Sequence, residues 1–307
     1  MLIAMTDAAR TDTARTVTPS GYAGNMHQEQ YDDPVAEFFW RMRNLTGEIQ
    51  LYTGYLQGYF ANKRNRGESL NLAADFGCGT GWLLTKLARD VGFENVVGVD
   101  TSEAMRRLAW KSVSSELAGR IKVKPVLNGE HAGKCDLVVA IHLTYHFTTN
   151  EELRSGFFGA IHHALNEKGE AIVISAHPDF VHNTPAYYQN SIAATQLTSQ
   201  EREDLELSID SDGFISLADY YKHTSGKMPS FVDKAQMTVR FTIPKQHGRG
   251  VDCIQLTDTH HARTSVLEQA KAASLEFVRE TPLYLGSHPV PAYVAWHFRL
   301  RPPTSTP

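Results

Sequence analysis

The chain has 307 residues, of which 42% are hydrophobic and 21% are charged, which is typical of a soluble globular protein. Its formal net charge of −4 argues against a dedicated nucleic-acid binder, because such proteins carry a basic surplus that neutralises phosphates. The spacing of Cys78, Cys135 and Cys253 fits neither a zinc site nor a secreted disulfide framework, so we expect no metal site and a cytoplasmic protein. No apolar run approaches the ~20 residues of a membrane span, and we expect no signal peptide.

The N-terminal 68 residues divide into two parts. Residues 1–28 are rich in Thr, Ala, Asp and Gly, which predicts a flexible arm. Residues 29–68 form a predicted helical cap, because large apolar side chains recur at spacings of three and four between residues 31 and 60. The basic cluster at 63–66 predicts a solvated turn, with an entrance for an anionic substrate as the alternative.

Residues 69–175 alternate between short apolar runs and helical patterns. Strands are predicted at 70–75, 96–100, 121–127, 136–143 and 171–175, with helices at 81–90, 102–117 and 151–165. Such alternation predicts an α/β fold in which a mostly parallel sheet carries helices on both faces.

The pattern changes after residue 175. Residues 176–261 predict an α+β cap inserted over the carboxyl edge of the sheet, with a helix near 199–207 and a hairpin that pairs 237–243 with 252–256. Residues 262–301 return to the core pattern, with a helix at 265–275 and strands at 276–283 and 293–300. Residues 302–307 are predicted to form a loose tail.

A glycine-rich turn is the most informative motif of the chain. The first core strand ends at Asp75, and the glycines of segment 77–81 let a ligand approach the backbone closely. The second strand ends at Asp100, where a carboxylate can accept hydrogen bonds from both ribose hydroxyls of an adenosine. A dinucleotide fingerprint needs a third glycine inside the helix. In the two possible registers this position is occupied by the bulky residues Trp82 or Leu84 instead. The motif therefore favours a different adenosine cofactor.

Segments 75–81 and 98–105 resemble motif I and the segment after the second strand of class I, Rossmann-like S-adenosylmethionine-dependent methyltransferases of the small-molecule type. The resemblance covers residues 69–175 well and 262–301 loosely. It implies a seven-stranded sheet with an antiparallel last strand, and S-adenosylmethionine as the cofactor. The cofactor-binding residues that it implies are Asp75, Gly77, Cys78, Gly79, Asp100, Thr101, Ser102, Met105, Asn128, Gly129 and Ile141.

Histidines and aromatic residues are the candidates for the acceptor side of such an enzyme. His146, His142 and His177 are candidate catalytic bases, because imidazole titrates near neutral pH. Aromatic side chains can line an acceptor pocket, and the substrate-binding candidates are Tyr31, Phe39, Tyr145, Tyr187 and Tyr188.

The leading interpretation is methyl transfer to a small-molecule acceptor by in-line displacement in a capped pocket, in secondary metabolism. One alternative is carbon methylation of a prenyl or other alkene substrate through a carbocation. Others are a protein or RNA methyltransferase, or a non-catalytic module that binds S-adenosylhomocysteine. The segment 141–144 lacks the N/D-P-P-Y/F motif of enzymes that methylate nucleic-acid amino groups. We further expect the N-terminal helix to close over the cofactor or to join a homo-oligomer.

Overall fold

The computed structural model describes residues 47–68, 70–127, 129–142, 151–177, 263–285 and 290–302, with the backbone alone for 151–155. It also describes short segments between residues 191 and 259. Within these residues, no helix combines the length and the apolar content that crossing a bilayer requires.

A seven-stranded sheet forms the centre of the fold. Its strands are β1 Leu72–Phe76, β2 Asn95–Val99, β3 Ile121–Lys124, β4 Cys135–Ile141, β5 Leu165–Ala176, β6 Leu275–Leu283 and β7 Tyr293–Leu300. They lie in the order β6-β7-β5-β4-β1-β2-β3, and β7 is antiparallel to both of its neighbours. The remaining pairs are parallel. The predicted α/β fold, with its antiparallel last strand, is therefore confirmed.

Helices cover both faces of this sheet. They are α1 Glu48–Asn65, α2 Trp82–Lys86, α3 Glu103–Ser112, α4 Glu151–Ala164 and α5 Arg263–Ala272. Successive residues of β5 point to opposite faces, as the pleat requires. Ile172 and Ile174 are buried in the cluster that contains Leu56 and Phe60 of α1, whereas Val173 is buried in the cluster of α4 and α5.

The N-terminal helix differs from its prediction. The pattern between 31 and 60 predicts one long helix, but α1 begins at Glu48 after Gly47, whose φ of 77° interrupts a right-handed helix. The helix then continues beyond Phe60 to Asn65, so Lys63 and Arg64 of the basic cluster belong to its last turn, whereas Arg66 lies in the exposed turn that follows. Lys63 lies in the last turn of α1 and forms an ion pair with Glu170. The predicted residues 31–46 lie outside the described ranges.

Several core elements have other bounds than predicted: β5 begins at Leu165 rather than at residue 171, and α5 ends at Ala272 rather than at residue 275. β3 ends at Lys124 rather than at residue 127, and α3 ends at Ser112 before a separate turn of 3₁₀ helix at Ser115–Leu117. β4 ends at Ile141, because His142 has a φ of 60° and leaves the extended conformation.

The inserted segment contains the predicted hairpin. Strands Thr238–Pro244 and Cys253–Thr259 pair antiparallel, and Ser230–Asp233 adds a third strand. A smaller ladder joins Ser191–Ala193 to Phe214–Ser216, and a short helix spans Ser199–Asp204. Two residues of the insertion, Leu197 and Ile215, are buried in the same cluster as the apolar side chains of α1, so the insertion packs on that face of the core. The domain bounds at 176 and 261 stay a prediction.

Candidate active site

The glycine-rich turn after β1 folds back onto the end of β2. The backbone N–H groups of Gly77 and Cys78 both donate to the carbonyl oxygen of Val99, at 2.7 and 3.0 Å. Gly77, Gly79 and Gly81 all have positive φ, between 53° and 77°, which explains why glycine occupies these positions. The turn therefore exposes backbone at the carboxyl edge, beside the end of β2.

Asp100 closes this turn with its side chain. Its Oδ2 accepts a hydrogen bond from the Gly79 amide and its Oδ1 accepts one from the Ser102 amide, each at 2.9 Å. The Arg106 guanidinium donates to the carbonyl oxygens of Asp100 and Thr101, and so holds the segment from the other side. Each carboxylate oxygen accepts one backbone amide here, which leaves it a lone pair for a ligand hydroxyl.

Burial governs the electrostatics of this carboxylate. It raises the pKa of the Asp100 carboxyl, whereas the amides of Ser102 and Gly79 and the charge of Arg106 act in the opposite direction. Ser102 also caps α3, since its Oγ accepts a hydrogen bond from the Met105 amide at 3.3 Å. The site is thus a carboxylate held rigidly by backbone donors.

The Cys78 side chain points away from the exposed face of the turn. It is 3% exposed, and a Cβ atom built on Gly98 would lie 2.8 Å from its Sγ. Burial raises the pKa of this thiol well above its usual range, and the charges of Asp100 and Asp75 raise it further. Cys78 can therefore contribute backbone groups to a ligand site, but not a thiolate nucleophile.

A buried group of polar side chains lies where α1 meets the ends of β4 and β7. This acceptor-side cluster consists of Glu48, Tyr52, His142 and Tyr293. The Tyr52 hydroxyl lies 2.7 Å from His142 Nε2, and a carboxylate oxygen of Glu48 lies 3.5 Å from the same nitrogen. The Tyr293 hydroxyl donates to the other oxygen of Glu48 at 2.7 Å. A carboxylate, an imidazole and two phenols therefore share one small volume.

The position of His142 in the sheet links this cluster to the glycine-rich turn. His142 follows β4 directly, its amide donates to the carbonyl oxygen of Ile174 at 2.9 Å, and its left-handed φ turns the chain out of the strand. Since β4 is paired with β1, the two loops leave neighbouring strands at the same edge. The chain changes direction across the sheet between these strands, and open α/β sheets bind ligands at such switch points.

Comparison with known proteins relates this geometry to a family. Residues 73–169 match the methyltransferase domain family. The chain is an S-adenosylmethionine-dependent methyltransferase. The matched segment begins in β1 and ends within β5, so it contains the glycine-rich turn, Asp100 and His142, whereas α1 lies outside it.

Solved structures share the class I fold of this methyltransferase. The PH0226 protein from Pyrococcus horikoshii OT3 is 18% identical with a TM-score of 0.54, and the match covers 86% of this chain and 99% of that protein. The magnesium protoporphyrin IX methyltransferase of Synechocystis PCC 6803, solved with bound S-adenosylhomocysteine, is 15% identical with a TM-score of 0.51 and coverages of 91% and 99%. An S-adenosylmethionine-dependent methyltransferase from Clostridium acetobutylicum ATCC 824 is 15% identical, with a TM-score of 0.50 and coverages of 81% and 92%. The chain matches no curated protein.

The site residues fit the cofactor of the methyltransferase. The two hydroxyls of a ribose can each donate a hydrogen bond to one oxygen of a carboxylate. The Asp100 carboxylate presents two such oxygens, which the amides of Gly79 and Ser102 hold in place. Gly79 leaves room above Met105, because a Cβ atom there would still lie 3.9 Å from the Met105 sulfur. Asp75 is the penultimate residue of β1 and is 3% exposed, at the position where the family resemblance implies contact with the methionine end.

The remaining sequence-predicted residues have different outcomes. Thr101, Ile141 and His177 lie at the carboxyl edge, and the amide of His177 donates to the carbonyl oxygen of Ala292 at 2.9 Å. Gly129 opens a turn of 3₁₀ helix after β3. The predicted residues outside the described part of the chain are Asn128, His146, Tyr31, Phe39, Tyr145, Tyr187 and Tyr188. Among the described residues, no group of three or more histidine, cysteine or acidic side chains is arranged to hold a metal ion.

Sequence reasoning missed Glu48 and Tyr293, and it named Tyr52 as part of the apolar stripe of a helix and as one of many aromatic side chains that could line an acceptor pocket. No motif connects Glu48 with His142, which lie 94 positions apart in the sequence. A signal was present in the helix itself, since a glutamate that shares its face with apolar residues is unusual unless it has a partner.

Proposed function

We propose that the methyltransferase acts on a small-molecule acceptor whose nucleophile loses a proton, and that His142 accepts this proton. The acceptor-side cluster carries this proposal, because it places an imidazole beside a carboxylate at the edge where the cofactor site lies. When bound, S-adenosylmethionine supplies a methyl group on a positively charged sulfur. A setting in secondary metabolism stays a prediction from the sequence.

One tautomer of His142 suits this role. Tyr52 and Glu48 both approach Nε2, and when Nε2 carries the proton it can donate to these oxygens, which makes Nδ1 the basic nitrogen. The acceptor's proton moves to the imidazole as the bond between nucleophile and methyl carbon forms and the bond between sulfur and carbon breaks. The imidazolium that results is stabilised by the negative charge of Glu48.

The burial of this cluster supports a small acceptor rather than a macromolecular one. Glu48 and His142 are 7% and 6% exposed, so a group that reacts there must enter the protein interior. The net charge of −4 also disfavours a nucleic-acid substrate.

Carbon methylation of an alkene is the second candidate, and the aromatic rings around His142 favour it. The ring centroids of Tyr52 and Tyr293 lie 5.5 and 5.1 Å from that of His142, and Trp82 lies 6.2 Å from Tyr52. Ring faces stabilise cationic groups, including a carbocation. His142 would then remove the proton from the carbon after methyl transfer.

The test uses the full chain with trideuteromethyl S-adenosylmethionine. Phenols, amines, carboxylic acids, prenyl diphosphates, bulk RNA and a protein extract serve as acceptors, and mass spectrometry locates the label. We expect label on an oxygen or nitrogen of a small acceptor. His142→Gln should lower this rate by about 10²- to 10⁴-fold, whereas His162→Gln on the exposed side of α4 should retain it.

The other outcomes decide between the candidates. Label on a prenyl carbon supports the alkene reaction, and label in RNA or protein alone overturns the small-molecule proposal. An undiminished rate in His142→Gln, with unchanged affinity for S-adenosylhomocysteine, would show that another group accepts the proton.

A further inference from the structure

A second polar cluster joins α1 to the sheet at the end opposite the cofactor site. This anchor cluster consists of Tyr55, Tyr59, Lys63, Glu170 and His297. It belongs neither to the glycine-rich turn nor to the acceptor-side cluster, and all three of its helix residues contact either His297 or Glu170. The burial of this cluster and the pairing of its polar side chains with one another indicate that it has a specific function.

His297 is the centre of the anchor cluster. It lies on β7, is paired with strands on both sides and is 0% exposed. The Tyr55 hydroxyl lies 2.5 Å from its Nε2, and Glu170 contacts its Nδ1. A buried imidazole with partners at both nitrogens has one ring orientation, so it defines where the Tyr55 hydroxyl must lie.

Glu170 connects two further helix residues to the same point. Its Oε2 accepts a hydrogen bond from the Tyr59 hydroxyl at 2.5 Å and lies 3.2 Å from Lys63 Nζ. Burial works to raise the pKa of this carboxyl, but the hydrogen bonds from His297 and Tyr59, and the charges of His297 and Lys63, lower it overall. Arg279 of β6 adds a cation 4.8 Å from the centre of the Tyr59 ring.

These contacts specify a single register of the helix. Apolar side chains alone tolerate small shifts of a helix, whereas a shift by one turn here would separate buried Glu170 and His297 from their partners. Leaving a buried charge or imidazole unpaired is costly, so the shifted arrangement is strongly disfavoured.

The same register places the helix residues of the acceptor-side cluster. The polar residues of α1 at 48, 52, 55, 59 and 63 follow spacings of three and four, so they form one stripe along the helix. With a rise of about 1.5 Å per residue, Glu48 and Lys63 lie about 22 Å apart at the two ends of this stripe. A helix is stiff over this length, so anchoring one end positions the other.

We propose that Glu170 and His297 are positioning residues, which hold α1 in the register that brings Glu48 and Tyr52 to His142. The proposal rests on the proposed function, because the position of Glu48 and Tyr52 relative to His142 matters for the reaction only if His142 accepts the proton. It assigns a role in the reaction to a buried group at the far end of the helix, without any contact between that group and a substrate.

The experiment compares Glu170→Gln with Glu276→Gln in the full chain with S-adenosylhomocysteine as the probe ligand. Glu276 forms an exposed ion pair with Arg299 on the neighbouring strands and makes the matched control. Hydrogen exchange of residues 48–65 reports how firmly the helix is held. Nuclear magnetic resonance of ¹³C-labelled histidine, with His142 assigned by its loss in His142→Gln, reports its titration.

We expect Glu170→Gln to speed hydrogen exchange along the whole helix by about tenfold or more, including its first turns. The titration midpoint of His142 should fall by about half a unit or more, because the Glu48 carboxylate that favours the imidazolium moves away. Glu276→Gln should change neither quantity, and both variants should bind S-adenosylhomocysteine.

Faster hydrogen exchange confined to the last turn of α1, with an unchanged titration of His142, would overturn the proposal. The anchor cluster would then stabilise only the end of the helix that it contacts. If Glu170→Gln fails to bind the probe ligand, Tyr59→Phe makes the same test with the ring retained, against Tyr284→Phe as its exposed control. Neither readout uses an acceptor, so a failure of the proposed reaction would appear separately, in the labelling experiment.

Discussion

The hydroxyl oxygen of Tyr52 lies 2.7 Å from Nε2 of His142, although 90 positions separate the two residues in the chain. One belongs to α1, outside the segment that matches the methyltransferase domain, and the other follows β4 within it. The contact shows that the N-terminal helix completes a cluster which the matched domain alone contains only in part.

This contact predicts that removing the hydroxyl oxygen of Tyr52 alone lowers the activity. Tyr52→Phe keeps the ring against Tyr293 and Trp82 but removes the hydroxyl from His142. We expect the turnover number with the acceptor found by labelling to fall about tenfold, because His142 loses a group that orients it. The measurement is steady-state kinetics, with affinity for S-adenosylhomocysteine unchanged. An equal loss in the exposed control Tyr284→Phe would contradict this role.

Asp100→Asn should weaken S-adenosylhomocysteine binding by about 10- to 100-fold, because it removes a charged acceptor for the ribose hydroxyls. Isothermal titration calorimetry measures this change. Asp136→Asn is the matched control, since Asp136 also accepts backbone amides, from Asn71 and Leu72, but at the opposite edge of the sheet. A control that loses as much affinity would mean that the effect is a general loss of structure.

Gly81→Ala should lower the free energy of unfolding by about 2–4 kcal/mol. The new Cβ would lie 2.7 Å from Cα and Cβ of Ala109, and the φ of 77° disfavours any L side chain. Denaturant titration is the measurement. Gly58→Ala in α1 meets open space and should instead stabilise the helix by about 0.5–1 kcal/mol.

The lowered pKa of Glu170 predicts how stability depends on pH. A carboxyl whose folded pKa lies below its ordinary value of 4.5 stabilises the folded state above that pH. This contribution is lost as the pH falls through the folded pKa. The difference in free energy of unfolding between wild type and Glu170→Gln should therefore be constant near neutrality and shrink below about pH 4.5. A difference that grows on acidification would reverse the sign and contradict the paired carboxylate.

The two cysteines of the described core should resist alkylation in the native protein. Burial raises the pKa of Cys78 well above its usual range and that of Cys135 to about 12, so neither forms the reactive thiolate near neutral pH. Iodoacetamide followed by peptide mass mapping should label both only after denaturation. Rapid native labelling of Cys78 would show that the glycine-rich turn opens.

Local patterns allowed much of the core to be predicted. Alternating apolar strands and helices predicted the α/β sheet, and the predicted bounds of β7 at 293 and 300 agree with the structure. The glycine-rich turn and Asp100 could be recognised because their contacts are short-range: backbone geometry and the end of the neighbouring strand determine them.

The sequence by itself determined the fold class and the cofactor, and it predicted Asp100 as the carboxylate for the ribose, because each depends on a motif whose glycines and strand ends have local conformational requirements. Only the tertiary structure decided which residues surround His142 and why α1 is held in one register. Those contacts join residues 90 to 245 positions apart, such as Tyr293 with Glu48 and His297 with Tyr55. They arise where α1 packs against the sheet beside β4 and β7, and no local pattern encodes that pairing.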